Sequence, residues 1–323
     1  MFEKQINKRL RREFRIPGWL LIAYFALMNV LVLVAMFGDM MKQIMDGMAK
    51  GEFMTEPDME AIMGNAWGYL WAVAVAMLFL FVWKDRSFWK EQVFARKKKM
   101  SFGLFLILLC VCMAIQFINS FWVEGLELFM NLFDKSILET LESVSGSSDT
   151  VSMFLYASFV APITEELIFR GYIQGALSRY GKKFSILCSA LFFGIFHGNL
   201  IQTPYAFLVG LVLGYVASEY SIGWAMVLHM INNLVVGDMM TRLTAGMNEM
   251  AAAMLVWSIP LLCGLGAVIT LICRGGEIGV WLRSNPKVPG AAACFFGSAG
   301  VITLTVLMGI SMIGTCFVLF IPI

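Results

Sequence analysis

Nine apolar runs, each long enough to cross a hydrocarbon core of about 30 Å, constrain this chain more than anything else in it. They fall near residues 16–38, 65–83, 103–122, 151–177, 184–201, 204–218, 222–240, 251–273 and 291–320. In lipid every backbone amide and carbonyl must find a partner inside the protein, so runs of this length can only be helices. The expected fold is all-α, a polytopic transmembrane helical bundle of about nine spans. Composition agrees: of 323 residues 59% are hydrophobic and 14% charged, far from the balance of a soluble domain. The expected partner is the lipid bilayer, and no nucleic acid is expected.

Lysine and arginine placement orients the spans. With the N-terminus cytoplasmic, 20 of the 24 fall on the inner side, and only Lys42, Lys50, Lys135 and Arg242 fall outside. This fits the positive-inside rule with nine spans and an outer C-terminus. A prokaryotic plasma membrane is the expected location. The basic N-terminus precedes a run that is long enough to span and lacks a small-residue cleavage signal, so it reads as a retained first helix. Three regions follow. Residues 1–150 hold three spans with acidic outer loops, 151–240 hold four spans carrying the polar residues, and 241–323 hold the last two. The outer loop 123–150 contains LFMNLFDKSILETLESV, whose pattern predicts an interfacial amphipathic helix. RKKKM, ahead of the third span, reads as an inner anchor. The seven cysteines lie in or beside apolar runs with no histidine nearby and read as packing residues.

Within the fourth run, APITEELIFRGY places Glu165, Glu166 and Arg170 in an otherwise apolar helix. Each such charge costs at least about 2.5 to 3.5 kcal/mol at the bilayer centre, so the three need pairing or water and mark a functional site. Glu166 and Arg170, four apart, share a face and can pair; Glu165, rotated by about 100°, is left free. Pro162 removes an amide donor and predicts a kink just before the carboxylates. The only two histidines of the chain, His197 and His229, follow in the fifth and seventh runs. Phe193 shares a face with His197, and Asn233 shares one with His229. Gly194 with Gly198, and Gly210 with Gly214, offer small faces for close helix packing. A carboxylate and an imidazole can deprotonate water, while a second imidazole and an amide can donate to an oxyanion. The implied reaction is amide hydrolysis within the membrane. No serine or cysteine sits in a comparable setting, which argues against a covalent nucleophile.

At these residues the chain resembles the CPBP family of intramembrane proteases, which includes CAAX prenyl endopeptidases and bacteriocin-processing and immunity proteins. Glu165, Glu166 and Arg170 meet its EExxxR pattern, Phe193 and His197 its FxxxH, and His229 and Asn233 its HxxxN/D. The resemblance covers roughly residues 151–240. It implies a helical fold with a conical cavity, Glu165 and His197 activating water, and His229 with Asn233 supporting the oxyanion. Glu166, Arg170 and Phe193 are supporting residues in this reading. The implied substrate is a membrane-associated peptide or protein, with or without a lipid modification.

Two other classes of function fit the same residues. A non-catalytic scaffold or bacteriocin-immunity protein could keep the motifs for structure, and a proton-coupled transporter could relay protons through Glu165 and the histidines. The absence of matched broken segments argues against the transporter. No cofactor is required by the preferred reading. Zinc could be held by Glu165, His197 and His229, but the spacing is not the HExxH that presents two ligands from one helix.

Overall fold

The computed structural model describes residues 2–51, 56–95, 97–137, 150–285 and 288–318, and among these every regular element is helical. In chain order they are α1 (Phe2–Ala49), the short α2 (Met59–Gly64), α3 (Trp67–Trp83) and α4 (Phe102–Asn131). Next come α5 (Val151–Tyr180), α6 (Lys182–Phe196), α7 (Gln202–Glu219) and α8 (Ile222–Asn233). The last are α9 (Glu249–Ser284), the short α10 (Ala291–Phe296) and α11 (Ala299–Val318). Four of them, α1, α4, α5 and α9, are long and apolar enough to cross a membrane, and shorter apolar helices accompany them. The architecture is an all-α membrane bundle.

Helix ends follow local chemistry. Thr150 caps α5 by accepting from the Met153 amide at 3.1 Å, and Ser221 caps α8 by accepting from Trp224 at 3.2 Å. Each side chain thus satisfies one of the amide donors that every helix start leaves open. Helix α6 ends where Gly198 takes φ +67°, a conformation that a side chain resists. Gly198 is therefore a helix terminator, and it also admits close approach of α11, where the Ser311 hydroxyl would lie 2.9 Å from a Cβ.

Other expectations change in similar ways. Residues 123–131 continue α4 without a break, so the first part of the expected interfacial helix is the end of a long helix; residues 138–149 lie outside those described. The last run is split by a turn at Gly297 and Ser298 into α10 and α11. In RKKKM, Lys97 donates to the Ala217 carbonyl at 2.9 Å and Lys98 pairs with Glu219 at 2.6 Å. These lysines hold the C-terminal end of α7, where the helix dipole favours cations, rather than serving only as lipid anchors.

Two apolar clusters frame the site. One joins α1, α3, α5, α6, α10 and α11, and the other joins α4, α7 and α8. Helix crossings are closest at glycines. A Cβ on Gly18 of α1 would lie 2.3 Å from the backbone of Gly300 in α11, and one on Gly194 would lie 2.9 Å from the Thr203 carbonyl of α7. Backbone cannot retreat as a side chain can, so these positions admit only hydrogen. Gly18→Ala and Gly194→Ala should each cost about 1 to 3 kcal/mol, the usual range for overpacking, measured by thermal unfolding in detergent. Gly275→Ala, with nothing within 4 Å of its Cβ, should not destabilise.

Glu219, just beyond the 204–218 run, gives a second test. Burial pushes its carboxyl up, but donors from Lys182, Lys98 and Trp281 outweigh that and hold it at about 2, below its ordinary 4.5. A carboxylate depressed by folding stabilises the protein above its unfolded pKa, and the contribution disappears as pH falls through the folded one. Thermal stability should drop between pH 4.5 and about 2, and Glu219→Gln should lower stability at neutral pH while flattening that acid limb.

Candidate active site

Pro162 shapes the helix that carries the carboxylates. Before it, Tyr156–Val160 is wound as a π-helix, with the Ala161 amide bonded to the Tyr156 carbonyl five residues back. In that register the next amide would bond Ala157, but residue 162 is proline and has none. The freed Ala157 carbonyl is taken by Asn233, whose Nδ2 donates to it at 3.1 Å. Thr164 returns its hydroxyl to the Val160 and Ala161 carbonyls. A wide turn thus stands just before Pro162, and after the α-helical Ala161–Glu165 a second π-helical stretch, Glu166–Gln174, follows. Such turns recur at functional sites.

The wide winding puts residues four apart in a straight row. Glu166, Arg170 and Gln174 are all buried, and Arg170 and Gln174 reach α7. Arg170 Nη1 donates to Glu166 Oε1 at 2.9 Å, with neither side chain exposed, and its Nη2 donates to the Gly210 carbonyl at 3.2 Å. Gln174 Nε2 donates to the Gly214 carbonyl and the Ser218 hydroxyl, both at 2.8 Å. Gly210 and Gly214 therefore do more than permit close packing: they bare carbonyls that receive the polar row. Gln174 carries no signal in the sequence beyond its four-residue spacing from Arg170.

Glu166 also accepts from His229, whose Nδ1 lies 3.0 Å from the same oxygen. A carboxylate already held by a guanidinium only accepts, so the proton is on His229 Nδ1 and a neutral ring presents a bare Nε2. That Nε2 lies 3.7 Å from Glu165 Oε2. Two acceptors facing each other at this distance require a proton, a water or a cation between them. Glu165 keeps 30% of its side chain exposed, against none for Glu166. The adjacent glutamates are thus physically distinct, one sealed against Arg170 and one open.

His197 sits one residue past the end of α6. Its Nδ1 bonds the Phe193 carbonyl at 2.8 Å, so this ring too carries its proton on Nδ1 and leaves Nε2 bare. No carboxylate lies within ion-pair distance of it among the described residues, and the imidazole beside Glu165 is His229. Asn199 holds the turn, donating to the His197 carbonyl at 2.9 Å and accepting from the Gln202 amide at 2.8 Å. Phe193 is the common neighbour. Its ring lies edge to face with His197 at 5.0 Å and His229 at 5.6 Å, and the Arg170 guanidinium stacks over it at 4.3 Å. Asn232, which the motif spacing does not single out, is buried and accepts from Tyr205 at 3.0 Å. Among the described residues no three His, Cys, Asp or Glu side chains converge closely enough to hold a metal ion. Glu165 and His229 form a pair, and His197 does not join them as a third ligand.

Helices α5 to α8 thus gather carboxylate, imidazole and amide groups inside a membrane bundle, an arrangement suited to hydrolysis away from bulk water. Residues 147–235 match the family model described as type II CAAX prenyl endopeptidase Rce1-like. The matched segment contains every residue of the three motifs, and the match supports the CPBP/CAAX protease family at the family level. No curated protein and no solved structure matches the chain.

Removing one member of a buried ion pair strands the other, at a cost of about 3 to 5 kcal/mol. Arg170→Ala should therefore lower the yield and unfolding temperature of the detergent-solubilised protein by an amount in that range. Glu166→Gln, which keeps a hydrogen-bond acceptor, should cost less than Arg170→Ala but more than Glu165→Gln, which should unfold near wild type. Unfolding curves of the three variants check the order.

Proposed function

We infer that the protein is an intramembrane endopeptidase that cuts a membrane-associated peptide or protein with a water activated at Glu165. The observation that carries this reading is the 3.7 Å separation between Glu165 Oε2 and His229 Nε2, two acceptors poised on one small ligand. A water there can give one hydrogen to each. As its oxygen bonds to the substrate carbonyl carbon, Glu165 takes a proton, and the carbonyl oxygen becomes an oxyanion. The C–N bond then breaks, the proton passes from Glu165 to the leaving nitrogen, and the products are a carboxylic acid, which keeps the second hydrogen of the water, and an amine. His197, with Nε2 bare, is the second acceptor for orienting water. Asn233 keeps one amide hydrogen beyond its bond to Ala157 and gives it to the oxyanion, while His229 holds the water opposite Glu165.

The family match favours substrates bearing a prenylated C-terminal cysteine motif, and the positive-inside distribution favours a cytoplasmic N-terminus with the site reached from that side. No step requires a metal. Purified protein in detergent should cleave an internally quenched, farnesylated CAAX peptide. Glu165→Gln should abolish that cleavage, a loss of at least about 10²-fold for a general base, with unfolding near wild type. Chelators should leave the rate unchanged. Retained turnover in Glu165→Gln would remove Glu165 as the base, and activity lost to a chelator and restored by zinc would give the Glu165 and His229 pair to a metal.

A further inference from the structure

The hydrogen that Asn233 offers the oxyanion is only as effective as its aim. The terminal torsion of an asparagine is broad, so the side chain by itself does not fix where its amide points. One end of this amide is held by α5: Nδ2 donates to the Ala157 carbonyl at 3.1 Å, which uses one of its two hydrogens. A single bond leaves the amide free to swing about it. A second bond, at the oxygen, fixes the plane and with it the direction of the remaining hydrogen.

Two neighbours supply that second hold. Asn233 Oδ1 accepts from Nδ2 of Asn232 at 3.4 Å, and Asn232 Oδ1 accepts in turn from the Tyr205 hydroxyl at 3.0 Å. Adjacent residues on a helix point about 100° apart, so from the end of α8 Asn232 reaches α7 while Asn233 reaches α5. Asn232 is only 2% exposed, and Tyr205 packs on the apolar cluster of α4, α7 and α8. At that burial a lost partner leaves an amide oxygen unpaired, which is costly. All the donors run the same way, from Tyr205 to Asn232, to Asn233 and on to the Ala157 carbonyl. An amide that accepts at its oxygen is polarised into a better donor at its nitrogen, so the chain strengthens the hydrogen that Asn233 keeps.

We propose that Asn232 and Tyr205 are positioning residues. They hold the oxygen end of Asn233 and thereby aim its free amide hydrogen at the substrate carbonyl oxygen as it becomes an oxyanion. The assignment rests on the protease reading. Neither residue touches substrate, and neither gives up or takes a proton. Their effect belongs to the transition state, where the negative charge that Asn233 answers first develops.

Tyr205→Phe keeps the ring and removes the first link, and Asn232→Leu keeps the branching and removes the middle one. On the farnesylated quenched peptide each should lower kcat by about 3- to 10-fold, the equivalent of one buried hydrogen bond, with KM changed by less than about threefold. Asn233→Ala, which deletes the donor itself, should cost about 10²-fold. In the Asn233→Ala background neither substitution should lower kcat further, because both act through that amide. An equal loss in both backgrounds marks a packing role and overturns the proposal, as does wild-type kcat in both single variants. A second measurement separates the proposal from the protease reading. In full-length protein labelled with ¹⁵N-asparagine, the side-chain amide resonance of Asn233, assigned by its loss in Asn233→Ala, should shift in Tyr205→Phe. A shift in a protein that cleaves no peptide would sink the protease reading while keeping the chain from Tyr205 to Asn233. Cleavage with the Asn233 resonance unmoved would sink the positioning assignment alone.

Discussion

A carboxylate and a guanidinium, both without exposed surface and both inside a membrane bundle, set the terms for everything around them. Neither Glu166 nor Arg170 can reach water, so each must be satisfied by protein. Arg170 has three kinds of partner: the Glu166 oxygen, the Gly210 carbonyl on α7 and the face of Phe193 on α6. Glu166 has a second one, the His229 imidazole on α8. One ion pair therefore fixes four helices against each other. It also fixes the tautomer of His229, and through it the direction in which the bare nitrogen points. The chemistry assigned to Glu165 depends on Oε1 of its neighbour being held by both Arg170 and His229.

The winding of α5 follows from the same demand. An ordinary α-helix advances by 100° per residue, so positions four apart drift around the axis. Arg170 and Gln174 must instead meet the carbonyls of Gly210 and Gly214 along one straight seam, with Glu166 behind Arg170 to pair with it. The π-helical stretch supplies that alignment. Pro162, upstream, turns a missing amide to use by leaving the Ala157 carbonyl for Asn233. A residue that breaks helices elsewhere here ties α5 to α8 at the point where the site is assembled.

Much of this was legible in the sequence, and what was not has a physical reason. Helical periodicity alone pairs Glu166 with Arg170 and frees Glu165, and apolar length alone sets the all-α membrane bundle. Those inferences use only contacts within one helix. Asn232 escapes notice because its role comes from a contact between helices, with Tyr205 of α7, where no spacing rule applies. Gly198 was read as a packing residue because sequence does not distinguish a glycine inside a helix from one that ends it. Its positive φ ends the helix, and its missing side chain lets Ser311 of α11 approach. RKKKM was read as a lipid anchor because its charges are visible and Glu219, 120 residues away, is not visibly theirs.

The contact between Gly18 and Gly300 joins helices at opposite ends of the chain, with backbone meeting backbone. Meanwhile α11 buttresses the His197 turn, with Thr315 donating to the Gly198 carbonyl at 3.1 Å. During synthesis the first helix enters the bilayer long before the last one is made. Until α11 arrives, α1 has no partner at its closest crossing and the His197 turn has no support from behind. The central helices can carry every motif residue and still lack a finished site, so the site is completed only when the last helix has been inserted and packs against the first.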